Sequence, residues 1–268
     1  MSRPAGGHSR PPAVFEVRPG APDSPVILHV PHASRAITPE ARDSLLITDS
    51  ELTEELDNLT DAHTGLIARQ AAEGARQTPW IFENSWSRLV VDPERFLGEQ
   101  EEMRAVGMGV VYTHGYAGRK LRDADPVREK AALQTHYRPY ADALAALVAG
   151  RLATTGRAVI VDVHSYPALA LPYELHADGP RPPVCLGTDD FHTPPPLLAA
   201  ATEAFPETAR NTPFAGCYVP AAYWHRDPRV TALMVEIRRD TYMTEPAGPC
   251  HEGLTHIAAR LATLIGAV

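Results

Sequence analysis

Apolar positions in this chain fall into short unbroken runs separated by longer stretches with helical spacing. Val26–Val30, Leu89–Val91, Ala158–Val163 and Ala232–Ile237 are short and β-branched. Several are apolar on both faces, which predicts strands of a sheet covered from both sides. Between the strands the repeat lengthens. Leu52, Leu56, Leu59, His63 and Leu66 share one helical face in a stretch capped by Thr48 or Ser50, where Thr48 and Glu51 fit a capping box, and the helix is expected to run to about Ala72. Asp57 and Asp61 sit one turn apart beside that face. A second helix is expected to open at Asp125-Pro126, kink at Pro139 and stop near Gly150 or Gly156. Two more fit Pro195 to Phe205 and Gly253 to Ile265. Strands alternating with helices predict a three-layer α/β/α domain with a mostly parallel or mixed central sheet.

At 268 residues, with no internal repeat and with prolines clustered between periodic segments, the chain suits a single domain. The polar, Pro- and Gly-bearing start reads as a mobile leader over residues 1–22, with the domain over 23–268. Asp and Glu outnumber Lys and Arg by 33 to 25, so a broad cationic surface for nucleic acid or anionic lipid is not expected. The apolar C-terminal stretch is interrupted by Thr255, His256, Arg260 and Thr263 and is too short to span a bilayer. Cys185, Cys217 and Cys250 show no C-x-x-C spacing, which argues against a disulfide framework and a cysteine-built zinc site. A cytoplasmic setting is the expectation.

Polar residues in the apolar runs mark the candidate chemistry. His32 follows the run Val26–Val30, at a strand end where α/β sheets form ligand crevices. Asp162 and His164 lie two apart on one face of an otherwise apolar strand, and both require partners there. Two histidines with a carboxylate from Asp57 or Asp61 make a set suited to a zinc ion with one position left open for water. Glu236 sits among Leu233, Val235 and Ile237. It is either an ion-pair partner of Arg238, which shares its face, or a base for the metal-bound water. Arg88 and Arg95 could clamp a carboxylate of a small anionic substrate, whereas Arg119 and Arg122 read as solvated surface.

Taken in order, these residues resemble the N-formylglutamate amidohydrolases, a family similar in fold to zinc carboxypeptidases and aspartoacylases. The resemblance runs through Pro31-His32, Thr60-Asp61-Ala62-His63, Ser87-Arg88 with Asp92 and Arg95, Arg138-Pro139-Tyr140, Asp162-Val163-His164-Ser165, Phe214 with Gly216 and Tyr218, and Glu236 with Thr241-Tyr242-Met243. It implies a zinc-carboxypeptidase-like fold and a hydrolase that removes a formyl group from an amino-acid nitrogen. Zn2+ would be held by His32, Asp61 and His164, with Asp61 favoured over Asp57.

The resemblance further implies Glu236 as general base, Arg88 as a partner of the scissile carbonyl, and Arg95, Arg238, Tyr218 and Tyr242 on the substrate. N-formyl-L-glutamate, or another N-acyl acidic amino acid, is the expected substrate. Three positions depart from the family pattern: Ala141 stands where a His is usual, Glu94 where an Asn is usual, and Pro213 where a basic residue is usual. Two other readings share the same residues, a zinc carboxypeptidase or deacylase acting on a larger substrate, and a non-catalytic protein that binds a small acid.

Overall fold

The computed structural model describes residues 13–268 apart from His176. Seven strands, β1 (Phe15–Arg18), β2 (Val26–Val30), β3 (Trp80–Asn84), β4 (Ala158–Tyr166), β5 (Val184–Gly187), β6 (Thr208–Arg210) and β7 (Val230–Arg238), form one sheet in the order β1-β3-β2-β4-β7-β5-β6. The sheet is mixed. β3, β2, β4 and β7 run parallel, as do β5 and β6, while β1 joins β3 and β5 joins β7 in the antiparallel sense. The helices are α1 (Pro39–Ser44), α2 (Asp49–Leu59), α3 (Thr64–Gly74), α4 (Pro126–Ala132), α5 (Arg138–Thr155), α6 (Pro195–Ala204) and α7 (Gly253–Ala267). None of the described helices is long and apolar enough to cross a membrane.

Strand periodicity sorts the core into two layers. Val26, Leu28, Val159, Val161, Leu233 and Val235 pack with α3, α6 and α7 on one face. Ile27, Phe82, Ala158, Ile160, Val230 and Ala232 pack with α5, through Tyr140, Leu144 and Val148, on the other. This is the three-layer arrangement that the two-sided apolar runs predict. A smaller core joins Leu52, Leu56 and Leu59 of α2 to Leu89, Met103, Met108, Tyr112 and Leu121 in the long connection that follows β3.

Four expectations are corrected. The stretch from Thr48 to Ala72 is two helices and not one: α2 ends at Leu59, Thr60 is extended, and His63 takes a left-handed backbone (φ 64°) before α3 begins. The capping box at Thr48 is present. Leu89–Val91 is buried but forms no strand; it lies in a tight turn where the Val90 amide donates to the Ser87 carbonyl. The kink at Pro139 is a π-helical turn over Leu133–Tyr137 between α4 and α5, and α5 ends at Gly156 in the left-handed conformation. Lastly, residues 1–12 of the expected leader lie outside the described residues, and Phe15–Arg18 is already strand.

Candidate metal centre

On the α5 face of the sheet, each central strand changes from apolar to polar toward its C-terminal end. Ile27 is followed by His29, Ile160 by Asp162 and His164, and Ala232 by Met234 and Glu236. The parallel register places His29 opposite Asp162 and His164 opposite Glu236. His32 follows two residues beyond β2, and Asp61 stands in the break between α2 and α3, its amide donating to the His32 carbonyl. The helix break therefore delivers Asp61 to the strand ends.

The two imidazoles lie with ring centroids 5.1 Å apart. His32 Nε2 donates to Asp92 Oδ1 at 2.9 Å, and His164 Nε2 lies 3.0 Å from Asp162 Oδ1. The opposite edges converge on one oxygen: Asp61 Oδ2 is 3.0 Å from His164 Nδ1 and 3.7 Å from His32 Nδ1. Each ring is thus held by one carboxylate hydrogen bond, His32 to Asp92 through Nε2 and His164 to Asp61 through Nδ1, and such bonds orient imidazoles that ligate metals. His32 Nδ1 and His164 Nε2 are buried and have no hydrogen-bond partner. The donor set and these orphaned nitrogens fit a divalent cation.

Charges around the centre are almost wholly removed from water. Burial pushes the Asp61 carboxyl up, but His164 and His32 outweigh it and hold the group well below the carboxylate range. Asp162 is held down likewise, against its burial, by His164 and His29. Glu236 goes the other way. Burial raises it to about 8, with Asp61 adding to the rise and His164 opposing it, and its Oε2 has no hydrogen-bond partner.

Arg88 Nη2 binds Asp92 Oδ2 at 2.9 Å and its Nη1 is 4.0 Å from Asp61. Arg95 Nε is 3.3 Å from the same Asp92 oxygen, and Nη1 is 3.8 Å from Glu101.

Several anticipated residues are placed elsewhere. Asp57 pairs with Arg35 at 2.7 Å and is not part of the centre. Arg238 pairs with Asp240 at 2.7 Å and donates to the Arg181 carbonyl, so the ion pair with Glu236 that their shared face allows is not formed. The Tyr242 hydroxyl donates to the Ala62 carbonyl at 2.6 Å and holds the break beside Asp61. Tyr218 places its ring 5.0 Å from His29 and donates its amide to Asp162 at 3.2 Å. Arg119 bridges Glu54 and Glu55, and Arg122 is buried, donating to the Leu89 carbonyl at 2.6 Å.

The structure also adds residues that spacing alone does not mark. Glu94 approaches both rings from the Nε2 side, with Oε1 3.3 Å from His164 and Oε2 3.5 Å from His32, and could share a cation with them. Its position in a loop rich in charge hides it. Arg239, 3% exposed, lies 3.5 Å from Asp61 and donates to Ser165 Oγ and the Asn58 carbonyl. His29, Asp162 and Tyr140 form a chain: Nδ1 donates to Asp162 at 2.8 Å, which leaves Nε2 to accept from the Tyr140 hydroxyl at 2.5 Å.

A three-layer α/β protein with histidines and acids gathered at its parallel strand ends has the form of an enzyme with its site at the sheet's C-terminal edge. Family comparison makes this specific. The chain matches the N-formylglutamate amidohydrolase family over residues 24–243 and belongs to that family of amide hydrolases. Among solved structures, it is similar to the N-formylglutamate amidohydrolase from Ralstonia eutropha JMP134, with a TM-score of 0.78 at 21% identity over 95% of this chain and 96% of that one. It is also similar to the gene product Atu2144 from Agrobacterium tumefaciens, with a TM-score of 0.66 at 19% identity over 94% of this chain and 93% of that one. Both likenesses show the fold. No curated protein matches the chain.

Proposed function

We propose that the protein is a zinc-dependent hydrolase of the amide bond in N-formyl or other N-acyl acidic amino acids, with N-formyl-L-glutamate, the substrate in the family's name, first among them. The observation that carries this reading is the convergence of His32 Nδ1, His164 Nδ1 and Asp61 Oδ2 beside an unpartnered Glu236 oxygen. His32, His164 and Asp61 are the residues that would hold the ion. Nitrogen and oxygen donors suit zinc. When bound, such an ion supplies Lewis acidity to the scissile carbonyl and acidifies a water.

The side chains do the remaining work. Asp92 fixes the His32 ring through Nε2, and Asp61 fixes the His164 ring through Nδ1. Glu236, held with a raised pKa, takes the proton of the attacking water and returns it to the departing amine. Arg88, 12% exposed and anchored by Asp92 and Tyr112, presents a fixed positive charge to the oxyanion that forms at the carbonyl carbon. Arg95, 21% exposed, would meet the α-carboxylate that every such substrate carries. The products are the carboxylic acid, formate for a formyl substrate, and the free amino acid.

Glu236→Gln tests the assignment. It keeps the shape of the centre and removes the base, so metal content should stay at the wild-type value while formate release falls by at least ~10²-fold. Near-normal turnover in this variant would overturn the role of Glu236.

A further inference from the structure

On the amide-hydrolase reading above, we infer that the cavity lined by Arg104, Thr113, His114 and Tyr173 receives the side chain of the substrate's amino acid, and that Arg104 meets a carboxylate at the end of it. The cavity is built by the long connection after β3 and the loop after β4, and its volume of about 480 Å³ is that of a small-molecule site. Its charged side is basic. Among the described residues, none of those that line it is acidic. Arg104 is half-exposed, and its ion pair with Glu129 is a loose one at 3.7 Å. Glu55, behind Gly115, is already held by Arg119 at 3.0 Å and by the Tyr116 amide at 3.0 Å. His114 is fixed through Nδ1 by the Thr113 hydroxyl at 3.0 Å, and Gly107 makes room for the ring, since a Cβ there would collide with Nδ1.

Two links join this cavity to the centre. The Arg104 amide donates to the Glu101 carbonyl at 3.3 Å, and the carboxylate of Glu101 lies 3.8 Å from Arg95. Tyr173 packs against the small core that contains Leu59 and Tyr112, and both of these accept from Arg88, the Leu59 carbonyl at 3.5 Å and the Tyr112 hydroxyl at 3.0 Å. Burial raises the Tyr173 hydroxyl, Arg88 opposes the rise most, and Arg239 and Arg95 act with it. One wall thus serves both spaces. An N-acyl amino acid that sets its amide at the metal ligands and its α-carboxylate at Arg95 has one substituent left, the side chain, and the cavity beside Tyr173 leaves room for it. There a guanidinium binds a carboxylate through charge-assisted hydrogen bonds that a side-chain amide of the same size cannot match.

N-formyl-L-glutamate and N-formyl-L-glutamine differ only at the end of the side chain, and both are assayed with the zinc-loaded protein. The wild-type kcat/KM is expected to favour the glutamate derivative by about tenfold. Arg104→Gln should shrink that ratio toward one, mainly through a higher KM for the glutamate derivative, and Arg104→Lys should restore part of it. Calorimetric titration of the products L-glutamate and L-glutamine reads the same preference without turnover. A wild-type ratio at or below one, or a ratio that Arg104→Gln leaves unchanged, would overturn the inference, and cleavage of both compounds in that case would leave the hydrolase reading intact. If Arg104→Gln does not fold, the wild-type ratio and Arg104→Lys decide. Failure to cleave either compound, while titration still favours L-glutamate and loses that preference in Arg104→Gln, would sink the hydrolase reading and leave the cavity assignment standing.

Discussion

At the scale of single residues, the centre is governed by which edge of each histidine is free. Asp92 occupies the Nε2 edge of His32 and Asp61 the Nδ1 edge of His164, so His32 Nδ1 and His164 Nε2 are the buried ring nitrogens left without a hydrogen-bond partner. His32, His164 and Glu236 are legible in the sequence because each is polar where its surroundings are apolar or where a strand ends. The choice between Asp57 and Asp61 is not legible from helical spacing, since it depends on where the helix breaks. Glu94 and Arg239 stay hidden because each belongs to a charged local sequence, Asp92-Pro93-Glu94-Arg95 and Arg238-Arg239-Asp240, in which exposure is the ordinary expectation.

Arg95 carries a prediction at this scale. Asp92 retains Arg88 when Arg95 is removed, so the centre should survive Arg95→Ala. A several-fold to tenfold rise in KM, with kcat changed much less, is expected in steady-state kinetics because a binding contact is lost and the chemistry is not. An unchanged KM would remove Arg95 from the substrate site.

At the scale of elements, long apolar strands are easily recognised and short or edge strands are not. β2, β4 and β7 are central, parallel and buried on both faces, and they appear as continuous apolar runs. β1 is exposed at alternate positions, β6 is three residues long with none buried, and β3 mixes Glu83 and Asn84 with its apolar residues, so none of them stands out from a loop. Leu89–Val91 misleads for the converse reason. All three residues are buried, Leu89 in the small core around α2 and Val90 against Ala41 and Trp86, without any strand partner.

The break between α2 and α3 contains neither Gly nor Pro. It is held by tertiary contacts, the Asp61 amide to His32 and the Tyr242 hydroxyl to Ala62, which no periodicity records. The start of α2 is by contrast written locally. Both arms of its capping box are formed, with the Thr48 hydroxyl accepting from the Glu51 amide and Glu51 accepting from the Thr48 amide at 2.8 Å. Thr48→Ala should cost about 1 kcal/mol in denaturant unfolding and leave the metal content as it is. A loss of metal would mean that α2 positions Asp61 more directly than the fold indicates.

For the whole molecule, the sheet separates two apolar layers and carries the chemistry at one end of one of them. Leu261 of α7 and Leu144 of α5 are both fully buried, on opposite faces. Replacement of either by Ala should destabilise the protein by about 2–5 kcal/mol. If one substitution is nearly silent in urea unfolding, the layer it belongs to does not contribute to the cooperative fold. Leu144 shares its layer with Tyr140, whose hydroxyl supports His29. Its loss is therefore expected to disturb the centre more than the loss of Leu261.

The most direct check of the account is the metal content of the purified protein, measured with chelator-sensitive formate release on the same sample. Wild-type protein should hold one divalent ion per chain and lose formate release when that ion is stripped, and His164→Ala should be deficient in both. Undiminished formate release from protein shown to be metal-free would contradict the account.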